Sequence, residues 1–327
     1  MSNPTTIPAA ATAERWDDRS SWDRFVAASP QGSVFCSPAF LDSLDLEWEA
    51  WRIVGPSGTR AAAVLLKGAD GVPVPQPQPF CLYQGILLPG GDTGASHRRI
   101  REHLEASEAL VKTLAAGGRL SWCLHPAYTD VRSLSWFHYH EPAAGQFRID
   151  IRYTGHIAVT AGAGLDQVLA TSRSVRRQEF RKADERFQVD PSSDLDLLDQ
   201  LHGITFARQG IDRPLRERAL LRSIVASALE GGYGEMLVAR DRGGEPAGAV
   251  VFLFDRTTAY YLVGANDPAF RACGVSTLLF LKGVERGMAR GASVIDVVGM
   301  NSPSRGDFKA SFGAVPVPYF IANWERP

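Results

Sequence analysis

The sequence predicts an α/β protein with mixed sheets (α+β in character), divided into two domains. Apolar runs of strand length alternate with longer segments whose apolar residues recur at helical spacing. The alternation starts again near residue 150, where a strand is followed by long helices. The chain has 327 residues, of which 45% are hydrophobic and 22% charged, so each of two ordinary domains could bury a core.

The first predicted domain covers residues 15–150 and follows a Pro-, Ala- and Thr-rich segment, 1–14, that is expected to be disordered. Helical spacing begins at Trp16, and a second short helical turn follows Ser37-Pro38. Strands and one long helix come next, and Gly117-Gly118 ends that helix. The predicted strands are 51–54, 61–66, 80–88 and 120–124, and the long helix is 96–116.

The second predicted domain, 151–327, carries the most informative pattern in the chain. Two apolar strands lead through a glycine-containing turn into a helix, and another strand follows that helix. Before them come one strand and three helices. The predicted strands are 153–159, 248–253, 259–263 and 293–298, and the predicted helices are 164–187, 195–209, 214–230 and 277–290.

Charge and cysteine usage narrow the function classes. The formal net charge is −1, so no overall field attracts nucleic acid or a membrane, and any basic site must be local. The cysteines are widely spaced and form no CxxC pair, which favours a reduced, cytoplasmic chain. We expect no signal peptide, no membrane span and, from the histidine spacing, no metal site. The cysteines are Cys36, Cys81, Cys123 and Cys273.

Four segments after residue 150 stand in an order that is typical of a known enzyme family. They are a basic helix with Arg173, Arg176, Arg177 and Arg181-Lys182, the segment 205–210 (TFARQG), the strand-turn-helix-strand block 248–298, and Phe308-Lys309 followed by Phe312-Gly313. Together they resemble the FemABX-type nonribosomal peptidyltransferases and their GNAT-like relatives over residues 150–320. The first 150 residues match in outline, chiefly at Tyr83-Gln84-Gly85. The resemblance implies tandem GNAT-type domains.

The resemblance also implies an acyltransferase that forms an amide by moving an aminoacyl group from aminoacyl-tRNA to the amine of a small molecule or peptide. No tightly bound cofactor is implied. In the wider superfamily coenzyme A carries the acyl group, so an acyl-CoA-dependent N-acyltransferase is an alternative, and a noncatalytic binding protein of the same fold is another. Either reaction must stabilise the oxyanion of a tetrahedral intermediate.

Three residues are the catalytic candidates. In the resembled family the Phe308-Lys309 pair lies beside the reacting carbonyl, where an ammonium would stabilise negative charge. The alternative is a surface lysine on a short helix whose phenylalanines anchor a core. Asp296 interrupts an apolar strand, and a carboxylate there must find partners or face a cleft. It could orient or deprotonate the attacking amine, or it could anchor the strand.

Basic residues on one helix are the first substrate-binding candidates. Arg173, Arg176 and Arg177 fall on neighbouring helix faces and could bind phosphates of the donor, although many such charge runs are simply solvated. Arg208 lies in a polar break between two helices and could face the substrate.

A turn and a strand supply the other substrate-binding candidates. Arg271, Gly274 and Ser276 occupy the place where GNAT enzymes bind pyrophosphate at a helix N-terminus. The last of these positions is usually Gly or Ala, so Ser276 weakens the case for coenzyme A. Tyr260 and Tyr261 alternate across one strand, so one points into the core and Tyr261 is chosen to line the cleft.

Overall fold

The computed structural model describes residues 12–91, 96–207 and 214–327. The chain divides into two compact units. Unit 1 comprises the residues up to Asp42, Leu46–Ile151 and Tyr319–Pro327, and unit 2 comprises Ser43–Asp45 and Arg152–Pro318. The prediction assigned all of 151–327 to one domain; Tyr319–Pro327 instead belong to unit 1, because they carry the end of a strand that pairs there.

Unit 1 contains a four-stranded antiparallel sheet in the order β1-β2-β3-β4. Helix α3 packs against β3, and Leu110, Val111, Ala61 and Ala63 belong to the same buried cluster. The elements are β1 (Thr12–Arg15), β2 (Glu47–Gly55), β3 (Gly58–Lys67), β4 (Ile86–Leu87) and α3 (His97–Leu114). Residues 12–14, predicted to be disordered, therefore pair with β2, whereas residues 1–11 lie outside the described ranges.

Short helices and a second strand pair complete unit 1. Strand β5 (Arg119–Cys123) pairs antiparallel with the end of β12 (Val315–Glu325). The short helices are α1 (Arg19–Ala28), α2 (Pro38–Asp42) and α4 (Arg132–Ser135). The predicted strand 80–88 shrinks to β4, because Phe80 and Tyr83 have φ angles of 58° and 53°, which a strand cannot accommodate.

Unit 2 contains a mixed sheet in the order β6-β11-β10-β9-β8-β7, which confirms the predicted fold class. Strands β10 and β11 are parallel, whereas the pairs β6–β11, β9–β10, β8–β9 and β7–β8 are antiparallel. The strands are β6 (Arg148–Ala158), β7 (Gln188–Pro191), β8 (Gly234–Arg240), β9 (Pro246–Phe254), β10 (Thr258–Asn266) and β11 (Val294–Asp296).

Helix α9 is the core helix of unit 2. It lies so close to the sheet that a Cβ at Gly283 would overlap the ring of Phe252. None of the described helices is long and apolar enough to cross a bilayer. The helices are α5 (Asp166–Thr171), α6 (Ser174–Asp184), α7 (Leu195–Ala207), α8 (Leu215–Glu230), α9 (Val275–Ala289) and α10 (Pro303–Ala310).

Two sequence predictions for unit 2 need correction. The helix predicted at 164–187 is two helices, because Ser172 and Arg173 adopt extended backbone angles and the Ser172 hydroxyl donates to the carbonyl of Val168 (2.7 Å). Strands β7, β8 and β12 were not predicted. Pro191 lies in β7, and Pro316 and Pro318 lie in β12, where proline normally argues against a strand.

Candidate active site

The candidate site lies where strands β10 and β11 separate. Their parallel pairing ends at Tyr260 and Asp296. A bulge between Tyr261 and Val263 shifts the pairing of β10 with β9, and bulges commonly re-aim side chains near functional sites. The strand ends therefore form the edge at which the predicted catalytic residues meet.

Asp296 is buried and held as a carboxylate by three donors. It accepts hydrogen bonds from Thr154 Oγ1 (2.5 Å), the backbone N–H of Val298 (2.7 Å) and His156 Nε2 (3.3 Å). Burial raises the pKa of Asp296, but the hydrogen bonds and the nearby His156 outweigh burial and bring the pKa below its usual value. This geometry fits the anchoring role that the sequence left open, and it gives Asp296 an imidazole neighbour.

The turn after β11 has a strained backbone. Val298 has a φ of 51°, which costs a β-branched residue about 1–3 kcal/mol. The Asp296 carboxylate fixes the N–H of Val298, and Gly299 continues the left-handed turn with a φ of 58°. The result is that the carbonyls of Val298 and Gly299 both face helix α10, where Lys309 binds them.

Lys309 reaches this turn from the last helical turn of α10. Its Nζ donates to the carbonyls of Val298 and Gly299, the latter at 2.9 Å, and lies 5.6 Å from the ring centroid of Tyr261. Within the described ranges its third N–H has no acceptor. Burial lowers the pKa of Lys309 to about 8, although Asp296 opposes this shift. Lys309 is therefore a half-buried ammonium that can lose its proton near physiological pH.

Aromatic rings surround the lysine. Tyr261 packs edge-on against Phe280 (5.3 Å between centroids), and Phe308 packs edge-on against Phe312 (5.1 Å). The rings of Phe280 and Phe312 are tilted by 36° and lie 4.3 Å apart. Burial raises the pKa of Tyr261 to about 12, so its phenol stays neutral. Tyr260 points to the opposite face and donates to Asp255 (2.6 Å). Phe312 belongs to the core and Phe308 packs against it, so both phenylalanines anchor the core as the alternative interpretation of this motif predicted.

The three arginines proposed to bind phosphate contact protein groups. Arg173 forms a two-pronged ion pair with Asp307 (2.6 and 3.0 Å). Arg176 donates to Ser311 Oγ (2.8 Å), and its guanidinium lies 4.8 Å from the ring centroid of Phe308. Arg177 donates to main-chain carbonyls at the end of α5. These arginines connect α6 to α10 and α5, and the exposed basic residues of α6 include Arg181 and Lys182.

The first turn of α9 is crowded by helix α6. Gly274 has a φ of 77°, and a Cβ there would lie 2.9 Å from the carbonyl oxygen of Glu179. The Glu179 carboxylate accepts a hydrogen bond from Thr277 Oγ1 (2.6 Å) in that turn. Ser276 accepts a hydrogen bond from the Asn266 side chain, and Arg271 is exposed. A phosphate at this helix N-terminus would meet the Glu179 carboxylate together with its ion-pair partner Arg176 (2.6 Å).

A cavity of about 510 Å³ opens on the other side of α10. Asn301 shapes its wall by accepting from the Tyr153 N–H (2.8 Å) and donating to the Tyr153 carbonyl (3.0 Å). Lys309 does not line this cavity. The lining residues include Tyr153, Met300, Asn301, Pro303 and Asp307.

The sequence singled out Lys309, Phe308, Asp296 and Tyr261 as site candidates but missed His156. The signal for His156 is its register opposite Asp296 in the antiparallel pair β6–β11, which no linear spacing reveals. Arg208 lies outside the described residues. In the described part of the chain, His, Cys, Asp and Glu side chains form no group that could hold a metal ion.

The sequence was compared with protein families and with curated proteins. Residues 170–310 match the model of the Acetyltransferase (GNAT) domain family. No curated protein sequence matches the chain.

Solved structures share the fold over nearly the whole chain. FemX is 14% identical, with a TM-score of 0.68 over 94% of this chain and 96% of its own. A tandem GNAT protein from the clavulanic acid biosynthesis pathway is 13% identical, with a TM-score of 0.54 over 97% and 98%. L-PGS from Bacillus licheniformis is 11% identical, with a TM-score of 0.51 over 94% and 92%. Residues 170–310 thus match the GNAT acetyltransferase domain family, and the chain as a whole has the tandem GNAT fold, as the sequence predicted.

Proposed function

We propose that this protein is an aminoacyltransferase that moves an aminoacyl group from aminoacyl-tRNA to an amine and forms an amide. The observation that carries the proposal is the half-buried ammonium of Lys309 at the point where β10 and β11 separate. GNAT-type domains catalyse acyl transfer. A fixed cation at this point would stabilise the negative charge that develops on the acyl oxygen.

The chemistry at the site needs no covalent enzyme intermediate. The amine nitrogen attacks the ester carbonyl of the donor, the C–N bond forms, and the carbonyl electron pair moves onto oxygen. Lys309 donates to that oxygen with the N–H that the carbonyls of Val298 and Gly299 do not use. When the carbonyl re-forms, the C–O bond to ribose breaks, and the ribose oxygen leaves as a hydroxyl that carries the proton lost by the amine nitrogen.

The first turn of α9 bears on whether the donor is aminoacyl-tRNA or acyl-CoA. In an acyl-CoA enzyme this turn would bind pyrophosphate through free N–H groups. Here Glu179 places a main-chain carbonyl and a carboxylate beside the turn, and the carboxylate is paired with Arg176 (2.6 Å), so protein groups already occupy the space beside the turn. Together with the sequence resemblance to FemABX enzymes, this crowding favours aminoacyl-tRNA, which is found in the cytoplasm, the location predicted from the sequence.

One observation favours the acyl-CoA alternative. Helix α9 has no side-chain cap at Gly274, so its first N–H groups stay available to an anion if α6 moves aside. The noncatalytic alternative draws support from the two carbonyls that already occupy Lys309.

A donor assay distinguishes the three functions. Purified protein is incubated with a panel of primary amines and either bulk tRNA charged with radiolabelled amino acids or radiolabelled acetyl-CoA. Amide product is then separated from free amino acid by chromatography. We expect product from charged tRNA. Product from acetyl-CoA alone would overturn the proposal that aminoacyl-tRNA is the donor. Product from neither donor would support a noncatalytic protein.

A further inference from the structure

His156 and Asp296 form a dyad at the end of the β10–β11 pairing. Nε2 of His156 lies 3.3 Å from Oδ2 of Asp296, and the two residues are direct partners across the β6–β11 pair. The other carboxylate oxygen of Asp296 is fixed by Thr154 and the N–H of Val298. A buried carboxylate with three donors cannot rotate freely, so it holds the imidazole in one orientation.

The orientation leaves one ring nitrogen for a substrate. Asp296 accepts the proton of Nε2, so Nδ1 carries the free electron pair. Within the described ranges Nδ1 has no hydrogen-bond partner, and 29% of the His156 side chain is exposed. Thr154, the other side-chain partner of the carboxylate, is fully buried. His156 is therefore the member of the cluster that solvent or an amine can reach.

The dyad and the lysine approach the strand ends from opposite faces of the sheet. His156, Asp296 and Tyr260 occupy paired positions, so their side chains share one face. Ile157, Ile295 and Ala259 are their chain neighbours and belong to the core on the α9 face. Tyr261, which lies under Lys309, also packs against α9 through Phe280. A carbonyl placed where the strands part would have the ammonium on one face and the imidazole on the other.

We propose that His156 is the proton acceptor of the amide-forming step and that Asp296 positions it. The assignment rests on the proposed acyl transfer. As the amine attacks, its nitrogen gains a bond to the acyl carbon and becomes positively charged. Nδ1 of His156 takes one proton from that nitrogen, and the imidazolium is stabilised by the Asp296 carboxylate. The proton then passes to the ribose oxygen as the C–O bond breaks, which restores the neutral imidazole.

The test compares His156→Gln with the parent protein in single-turnover reactions, using the donor that the parent accepts and a saturating primary amine. The glutamine amide can still donate to Asp296, but it cannot accept a proton. We expect the rate to fall about 100-fold while donor affinity and Tm stay near parent values. In His156→Ala, added imidazole should restore part of the lost rate. His140→Gln, on an exposed histidine of unit 1, is the matched control and should leave the rate unchanged.

The outcomes separate this role from the proposed function. An inactive parent would overturn the aminoacyl transfer and the role of His156 together. An active parent whose His156→Gln variant keeps its rate within about threefold would overturn the role of His156 alone, since a residue that only supports Asp296 tolerates glutamine. A rate loss in His156→Ala that imidazole does not restore, with a normal rate in His156→Gln, would assign His156 a supporting role only.

Discussion

The ammonium of Lys309 binds the carbonyl of Val298, a β-branched residue whose backbone is held in the left-handed region by Asp296. Two charged side chains thus hydrogen-bond to Val298: Asp296 accepts from its N–H, and Lys309 donates to its carbonyl. Strain of this kind persists where the surroundings fix it, and it is concentrated at functional sites. The turn at Val298 links the anchoring carboxylate to the candidate catalytic lysine.

Replacing Lys309 with methionine should lower turnover about 100-fold and leave donor affinity nearly unchanged, because the ammonium stabilises charge that exists only in the transition state. Single-turnover rates and donor binding measured by filter retention give the two quantities. Lys282→Met is the matched control, since Lys282 forms an ion pair with Asp184 (3.0 Å) on the surface of unit 2. A well-folded Lys309→Met protein with normal turnover would remove Lys309 from the mechanism.

The rate advantage of the parent over Lys309→Met should shrink as pH rises through about 8, where Lys309 loses its proton. Using the ratio of the two rates cancels the titration of the substrate amine. Stability should change in the opposite direction. Between pH 8 and the ordinary lysine value of 10.5 the unfolded chain holds more protons on this residue, so the parent gains stability relative to the variant. A rate ratio that stays constant from pH 7 to 9.5 would contradict the ammonium role.

Asp296→Ala should destabilise unit 2 by about 3 kcal/mol, because it leaves the partly buried N–H of Val298 and the buried hydroxyl of Thr154 without their acceptor. The pKa of Asp296 lies below its usual 3.8, so its stabilising effect is present above that pH and is lost as pH falls further. Urea unfolding at pH 7 and pH 3 should show the parent's advantage shrinking in acid. Asp307→Ala, which breaks an exposed ion pair with Arg173, is the control and should have little effect.

The basic end of α6 is the place to test for phosphate binding by the donor. Arg181→Glu with Lys182→Glu should weaken tRNA binding and reduce its dependence on salt, with no change in Tm, because both side chains are exposed. Arg176→Met should instead lower stability by about 2 kcal/mol through its lost contacts to Ser311 and Glu179. Equal tRNA affinity of the double variant and the parent at low salt would exclude this end of α6 as a phosphate contact.

Sequence patterns predicted the elements that are buried on both sides or strictly periodic. Strands β9 and β10 and helix α9 are long apolar segments in the sequence, because most of their residues are buried in the fold. The pattern could not reveal that Arg176 stacks on Phe308, because charge on a helix looks the same whether it faces solvent or a neighbouring helix. It also could not pair His156 with Asp296, since strand register depends on contacts between residues 140 positions apart.

Unit 1 receives its last strand segment, Tyr319–Pro327, after the whole of unit 2 has been synthesised. On the ribosome, residues 119–123 must therefore wait for about 200 further residues before β5 can pair with β12. The unit that is made first is completed last. A nascent chain released after Pro318 would expose the unpaired edge of β5, and such edges bind other chains. A chain that ends at Pro318 should thus aggregate, because β5 lacks its pairing partner.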